Sequence, residues 1–264
     1  MTASREQRAR AFRALHGGAP FVIPNPWDAG SARALEALGF RALATTSSGF
    51  AFTLGRRDGS VTLDEVVGHV HALVEATELP LSVDLENGYG PEPEQAALAV
   101  HSVAEAGAVG SSVEDYDPAG HIYDLGHSVE RVAAAVEAAR SQPFPFTLTA
   151  RAENLIRGRP DLGDTIARLQ AFEAAGADVV YAPGLGTVED VRSVCTAASK
   201  PVNVLAVPSI SMHDLIDAGA QRVSLGGRLT WTAVAAMTSA ARDILDRGDF
   251  SSLAPSPPLD DWFG

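Results

Sequence analysis

Apolar and polar positions along the chain recur at two periods that take turns. At 81–86, LSVDLE, the residues Leu81, Val83 and Leu85 fall on one face and Ser82, Asp84 and Glu86 on the other, the period-two pattern of a strand. SREQ at 4–7 reads as a capping box opening a helix whose Ala9, Phe12 and Leu15 share a face, with Gly17 and Gly18 ending it. After that one unit repeats: a helix closes at a glycine corner and a short apolar strand follows. The corners are ALGF (37–40), AGAV (106–109), AGAD (175–178) and AGAQ (218–221); elsewhere Pro20, Pro80, Pro145 and Pro201 set the entry. The strands are FVIPN (21–25), RALATT (41–46), LSVDLE (81–86), VGSSVE (109–114), FTLTAR (146–151), DVVYAP (178–183), VNVLAV (202–207) and RVSLGG (222–227). Eight strands alternating with helices predict an α/β fold, a parallel (β/α)8 TIM-type barrel. It is expected to be one domain over 1–264, with an N-terminal helix within 1–18 and a C-terminal helical arm at 249–264. A doubly wound open sheet is the competitor; the even strand count and the lack of a linker-like stretch favour the barrel.

Composition narrows the setting. With 264 residues, 46% hydrophobic and 20% charged, the chain can bury a full-sized core. No apolar run reaches the ~18–20 residues that span a bilayer, so no membrane partner is expected. MTASREQRAR lacks the apolar segment of a secretory signal, and one cysteine excludes an internal disulfide; the expected location is cytoplasmic. Net charge is −13 and Lys200 is the single lysine among 20 basic residues, which argues against nucleic acid as a partner.

In such barrels chemistry sits at the C-terminal ends of the strands. There the sequence places Thr46, Ser47 and Ser48 after strand two, Asp84 and Glu86 at strand three, Glu114 at strand four, and Arg151 followed by Glu153 at strand five. Clustered carboxylates repel and are costly to desolvate, so a cation is expected among them. The candidate ligands are all hard oxygens, which points to Mg²⁺, or Mn²⁺, rather than zinc. Two longer connections carry further candidates as lid-like loops: SSGFAFTLGRRDGSVT holds Asp58, and DYDPAGHIYDLGHS holds Tyr116, His121, Tyr123 and His127. His69 and His71, two apart on a helix, cannot face one ion together and read as solvated surface; Cys195 reads as a packing residue within a helix.

The series PNPWDAGSARALEALGF, TTSSGFAFTLGRRDGS, SVDLENGYG, SVED and TARAE, in barrel order, resembles the isocitrate lyase / phosphoenolpyruvate mutase superfamily. The resemblance implies a Mg²⁺ site with Asp84 as the nearest ligand and Glu86 and Glu114 acting through metal-bound waters. It also implies that backbone N–H groups of Thr46, Ser47 and Ser48, with the Arg151 side chain, hold a 2-oxo-carboxylate whose enolpyruvate-type intermediate is stabilised. The sequence departs from the best-known members: the loop DPAGHIYDLGH has neither the lyases' cysteine nor the lysine and asparagine of the phosphonate enzymes, and strand six ends in Tyr181-Ala182-Pro183.

The expected function is therefore a Mg²⁺-dependent lyase acting on a small 2-oxo or 2-hydroxy dicarboxylate, by carbon–carbon cleavage or decarboxylation as in an oxaloacetate decarboxylase. Asp58 and Arg151 are catalytic candidates, and Tyr89, His121 and His127 are candidate proton donors. Phosphorus–carbon bond chemistry and a non-catalytic 2-oxo-acid-binding barrel are the alternatives. The apolar helix TWTAVAAMTSAARDILDRG and the tail with Phe250, Leu253, Leu259, Trp262 and Phe263 predict a homo-oligomer, a tetramer or dimer, with the arm packed on its own subunit or exchanged with a neighbour.

Overall fold

A computed structural model describes residues 3–253 and 258–263. The order is α1 (Arg5–Leu15), β1 (Phe21–Ile23), α2 (Ala29–Ala37), β2 (Leu43–Ala44), α3 (Ser47–Thr53), α4 (Leu63–Ala76), β3 (Leu81–Asp84), α5 (Pro93–Glu105) and β4 (Gly110–Glu114). A short hairpin, β5 (Tyr116–Asp117) and β6 (His121–Ile122), precedes α6 (Leu125–Arg140), β7 (Thr147–Arg151), α7 (Leu162–Ala174), β8 (Val179–Tyr181) and α8 (Val188–Ala197). The chain continues through β9 (Val202–Leu205), α9 (Met212–Asp217), β10 (Arg222–Ser224), α10 (Arg228–Arg247) and α11 (Leu259–Phe263).

Eight strands form one parallel sheet in the order β1-β10-β9-β8-β7-β4-β3-β2, so every predicted strand is in it. The seam lies between β1 and β2, where the Ala44 N–H donates to the Pro24 carbonyl at 3.0 Å. Pro24 has no N–H to return, which keeps the ladder short there. The Asn25 side chain takes over: its Nδ2 donates to Thr45 O, and its Oδ1 accepts from Leu225 and Gly226 N–H, all at 2.9 Å. One amide thus laces the ends of β1, β2 and β10 and closes a (β/α)8 barrel.

The capping box at Ser4 is formed in both directions, with Gln7 N–H on Ser4 Oγ at 3.2 Å and the Gln7 side chain on the Ser4 N–H at 2.8 Å. The helix-to-strand corners turn on glycines with left-handed backbone; at Gly107, φ 112°, a Cβ would also lie 2.9 Å from Val74. Apolar strand faces pack outward on the helices, with Leu81, Val83, Leu148 and Phe146 in one core and Val180, Val202 and Val204 in its continuation.

His69 differs from its expectation. It is buried on α4, stacked on Phe50 with ring centroids 3.9 Å apart and planes 12° apart. Burial pushes its pKa down to about 4, and Nε2 has no hydrogen-bond partner. The apolar face of α4 is wide enough to take the ring in. Cys195 lies on α8, packed against the second core, and burial raises its thiol to about 11.

Thr230 is the buried residue of the twenty-residue α10; Trp231, Met237 and Leu245 are exposed, as are Phe250, Leu253 and Leu259 beyond it. Helix α11 lies against α2 of its own chain. Residues 254–257 and 264 of the expected arm lie outside the described residues, as do 1 and 2 at the other end.

Candidate active site

A cleft of about 180 Å³ opens at the C-terminal ends of the strands. Thr46, Ser47, Ser48, Asp58, Asp84 and Arg151 line it, so six of the predicted positions meet in one cavity. Thr46 caps α3, accepting the Gly49 N–H at 3.3 Å. Gly49 is required there: a Cβ would sit 2.6 Å from Thr46 Cγ2 and 2.7 Å from Thr230 Oγ1. That close approach folds the small-residue loop over the cleft.

Asp84 is the junction. Its own N–H donates to Thr45 Oγ1 at 2.8 Å, and its carboxylate accepts from Arg151 Nη1 at 2.9 Å and from Ser47 N–H at 3.4 Å. Arg151 also pairs with Glu114 at 3.0 Å and with Glu153 at 2.6 Å. Burial alone would lower its pKa, but Glu153, Glu114 and Asp84 together hold it well above the ordinary arginine value. Tyr181 supports the guanidinium from below, ring centroid 5.2 Å from Arg151 Cζ.

The acids outnumber the cations. Burial raises the Asp58 carboxyl, against a hydrogen bond from Ser47, and raises Glu114 well above its usual range despite Arg151. Burial and then the charges of Asp84 and Asp58 push Glu86 up to about 8. Glu86 also departs from the strand pattern predicted for it. Strand β3 ends at Asp84, and Glu86 adopts φ 49°, the left-handed region that a non-glycine residue enters at a cost. Its carboxylate has no hydrogen bond or ion pair among the described residues.

The outlying candidates fall elsewhere. Tyr89, φ 63°, borders a neighbouring depression with Val61 and Gln95 and is not part of the cleft lining, while its hydroxyl is buried without a hydrogen-bond partner and within reach of the charges of Glu86, Asp84, Asp58 and Glu114. Burial, then the charge of Glu86, raises its phenol far above the usual range. His121 is exposed on β6, 4.0 Å from Asp117, and His127 Nε2 sits 2.8 Å from the Pro91 carbonyl; neither lines the cleft. The reason is that the loop carrying them is pinned as a hairpin. Tyr123 Oη donates to Asp117 at 3.0 Å and accepts from Asn87 at 3.1 Å, with Arg131 Cζ 4.7 Å over its ring.

Residues 12–245 match the family described as phosphoenolpyruvate phosphomutase. The chain belongs to that family. It is 32% identical over 212 residues to the oxaloacetate decarboxylase of Paraburkholderia xenovorans, covering 76% of this chain and 69% of the relative. It is also 32% identical over 205 residues to the 2-methylisocitrate lyase of Salmonella typhimurium, covering 73% and 68%. A solved Burkholderia cenocepacia structure carrying the provisional description lyase/mutase superposes with a TM-score of 0.94 at 48% identity, over 98% of this chain and 96% of that one. The phosphoenolpyruvate phosphomutase family thus spans lyases and mutases on this barrel.

A divalent ion of the kind such enzymes use can be weighed against these side chains. No three His, Cys, Asp or Glu side chains among the described residues converge tightly enough to ligate one ion together. Magnesium does not need that: it keeps several waters and is held by one or two carboxylates. Asp84 lines the cleft, while Glu86 and Glu114 lie outside its lining, Glu86 within range of the Asp84 charge and Glu114 on the same arginine. Together they supply such an all-oxygen set, and the excess of acid over base gives a cation its driving force. The donor set fits.

Several supporting residues were not among the candidates read from the sequence. Asp115 takes the Glu153 N–H at 2.8 Å and Arg168 Nη1 at 3.0 Å, both groups buried, which fixes the ends of β4 and β7. Arg131 donates to the carbonyls of Asn87, Gly90 and Pro91, holding the Gly-Tyr-Gly turn. Arg157, following Arg151 by one turn of chain, reaches Glu153 at 3.3 Å and Glu114 at 3.6 Å and lies 3.8 Å over the Tyr116 ring. Only the position of Arg157 just past a strand end hinted at this.

Proposed function

We propose that the protein is a Mg²⁺-dependent lyase that decarboxylates a small 2-oxo dicarboxylic acid of the oxaloacetate type. The observation that carries the reading is Asp84 and Arg151 joined at 2.9 Å in one cleft with Thr46, Ser47, Ser48 and Asp58. The 32% identity to an oxaloacetate decarboxylase over 76% of the chain supports it. The ion, held by Asp84 with Glu86 and Glu114 behind its waters, would supply the positive charge that a 2-oxo group needs as its carbon becomes an enolate.

The chain's own part is orientation and proton control. Arg151 is fixed by three carboxylates and a tyrosine ring, so its guanidinium meets the substrate carboxylate without reorganising. Thr46, Ser47 and Ser48 line the same space, and their backbone N–H groups would orient the 2-oxo acid. When the bond to the departing carboxylate breaks, its electron pair stays on the adjacent carbon, CO₂ leaves, and one proton returns to that carbon. Asp58, raised by burial and hydrogen-bonded to Ser47, lines the cleft and is the group placed to manage that proton. The protein works as a homo-oligomer, the exposed side of α10 seated on a neighbour.

Incubation of the full chain with Mg²⁺ and a panel of oxaloacetate, 2-methylisocitrate and phosphonopyruvate, followed by NMR, tests the assignment. Pyruvate formed from oxaloacetate faster than in a chelated control is the expected result. Turnover of phosphonopyruvate instead would assign phosphorus–carbon chemistry, and Mg²⁺-dependent oxalate binding without any turnover would make the barrel a binder.

A further inference from the structure

Four inward side chains, Arg151, Tyr181, Asn203 and Arg222, stand in register across the neighbouring strands β7, β8, β9 and β10, and all four line the cleft. Barrel strands tilt by roughly 36° to the axis, so a row that runs across them descends as it goes. The row therefore leads from the rim at Arg151 to the barrel floor at Arg222. There Arg222 Nη2 donates to Thr149 Oγ1 at 3.0 Å, and Thr149 precedes Arg151 by two residues on β7. The lower guanidinium thus lies about one strand layer, ~7 Å, beneath the origin of the upper one.

The two arginines differ in their company. Arg151 is surrounded by carboxylates. Arg222, 5% exposed, has none among the described residues. Its remaining contacts are neutral: Nε donates to Asn203 Oδ1 at 2.8 Å, and Nη1 lies 3.2 Å from His16 Nε2. His16 is itself held neutral, with Nδ1 on the Phe12 carbonyl at 2.9 Å and its pKa lowered by burial and by Arg222 to about 3. Three contacts use three of the five guanidinium N–H groups. A buried cation without a counter-charge is costly, and here it faces a cavity open to small solutes. Tyr181 and Ser224 add hydroxyls beside it, Ser224 Oγ accepting from Asn203 Nδ2 at 2.9 Å.

We propose that Arg222, with Asn203, Ser224 and Tyr181, forms an anion subsite at the barrel floor that takes a carboxylate-sized anion, the second carboxylate of the substrate. This rests on the 2-oxo dicarboxylate reading for the identity of the anion, though not for the existence of the subsite. It assigns the preference for dicarboxylates over monocarboxylates to Arg222, while Arg151 and the rim hold the 2-oxo acid end common to both.

Two experiments separate the parts. Crystals of the full chain soaked in bromide should show an anomalous peak at hydrogen-bond distance from Arg222. The same soak with oxaloacetate or its stable analogue malonate should remove the peak, and one with oxalate should leave it. No peak at Arg222 overturns the subsite; a peak that persists under saturating dicarboxylate reduces it to a free-anion site and overturns the substrate role. In parallel, calorimetry with Mg²⁺ should show Arg222→Gln weakening malonate at least tenfold and oxalate less than twofold, with Arg222→Lys recovering part of the loss. Equal loss for both ligands would mark Arg222 as structural and overturn the proposal. Should the unaltered protein bind no oxalate with Mg²⁺, the functional reading fails, and the bromide peak still judges the subsite.

Discussion

Replacing Asp84 by asparagine should cost little stability, although it removes a partner from a buried ion pair. Breaking such a pair usually costs ~3–5 kcal/mol because one charge is left unpaired. Arg151 would not be left unpaired, since Glu114 at 3.0 Å and Glu153 at 2.6 Å remain. The Asp84–Arg151 attraction at 2.9 Å is of the order of 6 kcal/mol at an effective dielectric of about 20. Against it stand Asp84's repulsions with Glu86 and Asp58, both of which act on those groups' acidity. With both acids ionised, above the Glu86 value of about 8, each repulsion at ~7 Å and the same dielectric is about 2 kcal/mol, so the two together offset most of the attraction. The expected change in urea unfolding at about pH 9 with chelator present is a loss of no more than about 2 kcal/mol. With Mg²⁺ at a hundred times its dissociation constant, the unaltered protein should gain ~2.7 kcal/mol and Asp84→Asn almost nothing. A loss above 3 kcal/mol in chelator would show Asp84 to be a structural counter-ion. An undiminished Mg²⁺ gain in the variant would remove it from the metal site.

Other outcomes follow from the same geometry. His69→Phe should stabilise increasingly as pH falls: the folded ring titrates near 4 instead of 6.5, so the unfolded chain takes up the extra proton between those values and native stability is lost there. Removing that site is worth at most ~3 kcal/mol below pH 4, and parallel urea curves from pH 8 to 4 showing a constant gap would refute it. Cys195→Ala should retain full turnover, because the thiol packs behind the Gly219 corner away from the cleft; a large drop in kcat with native circular dichroism would contradict that. Leu245→Asp should shift light scattering toward the monomer, since that side chain is 84% exposed on the uncovered side of α10; an already monomeric parent chain would defeat the oligomer.

The strands and their corners were legible because a barrel repeats one local rule. Gly39, Gly107, Gly176 and Gly219 all take the left-handed backbone that a helix-to-strand corner needs, and that demand is written in single residues. The rim was legible for a related reason: carboxylates gathered at the ends of apolar strands repel one another and so call for a cation. What could not be read was decided by contacts between distant segments. His69 looked like surface until Phe50, nineteen residues earlier in the chain, supplied a ring to stack on. His121 and His127 looked like lid residues until the Asn87–Tyr123–Asp117 chain pinned their loop as a hairpin. Glu86 left the strand because it opens the turn that the Gly88 N–H closes on the Leu85 carbonyl and that Arg131 holds at Asn87.

The same contrast explains why the two arginines of the cleft were unequally visible. Arg151 ends a strand among acids, where a cation reads at once as a partner. Arg222 begins a strand, at the barrel end where polar residues ordinarily serve stability, and nothing near it in sequence carries opposite charge. Only the register, which lines Arg222 up with Asn203, Tyr181 and Arg151, connects it to the cleft. The surplus of negative charge at the rim and the unmatched positive charge at the floor give the cavity a polarity along its axis. Under the proposed reading a metal ion would sit at the acidic end and a carboxylate at the basic one, which would give a dicarboxylate one electrostatically favoured orientation before any specific contact is made.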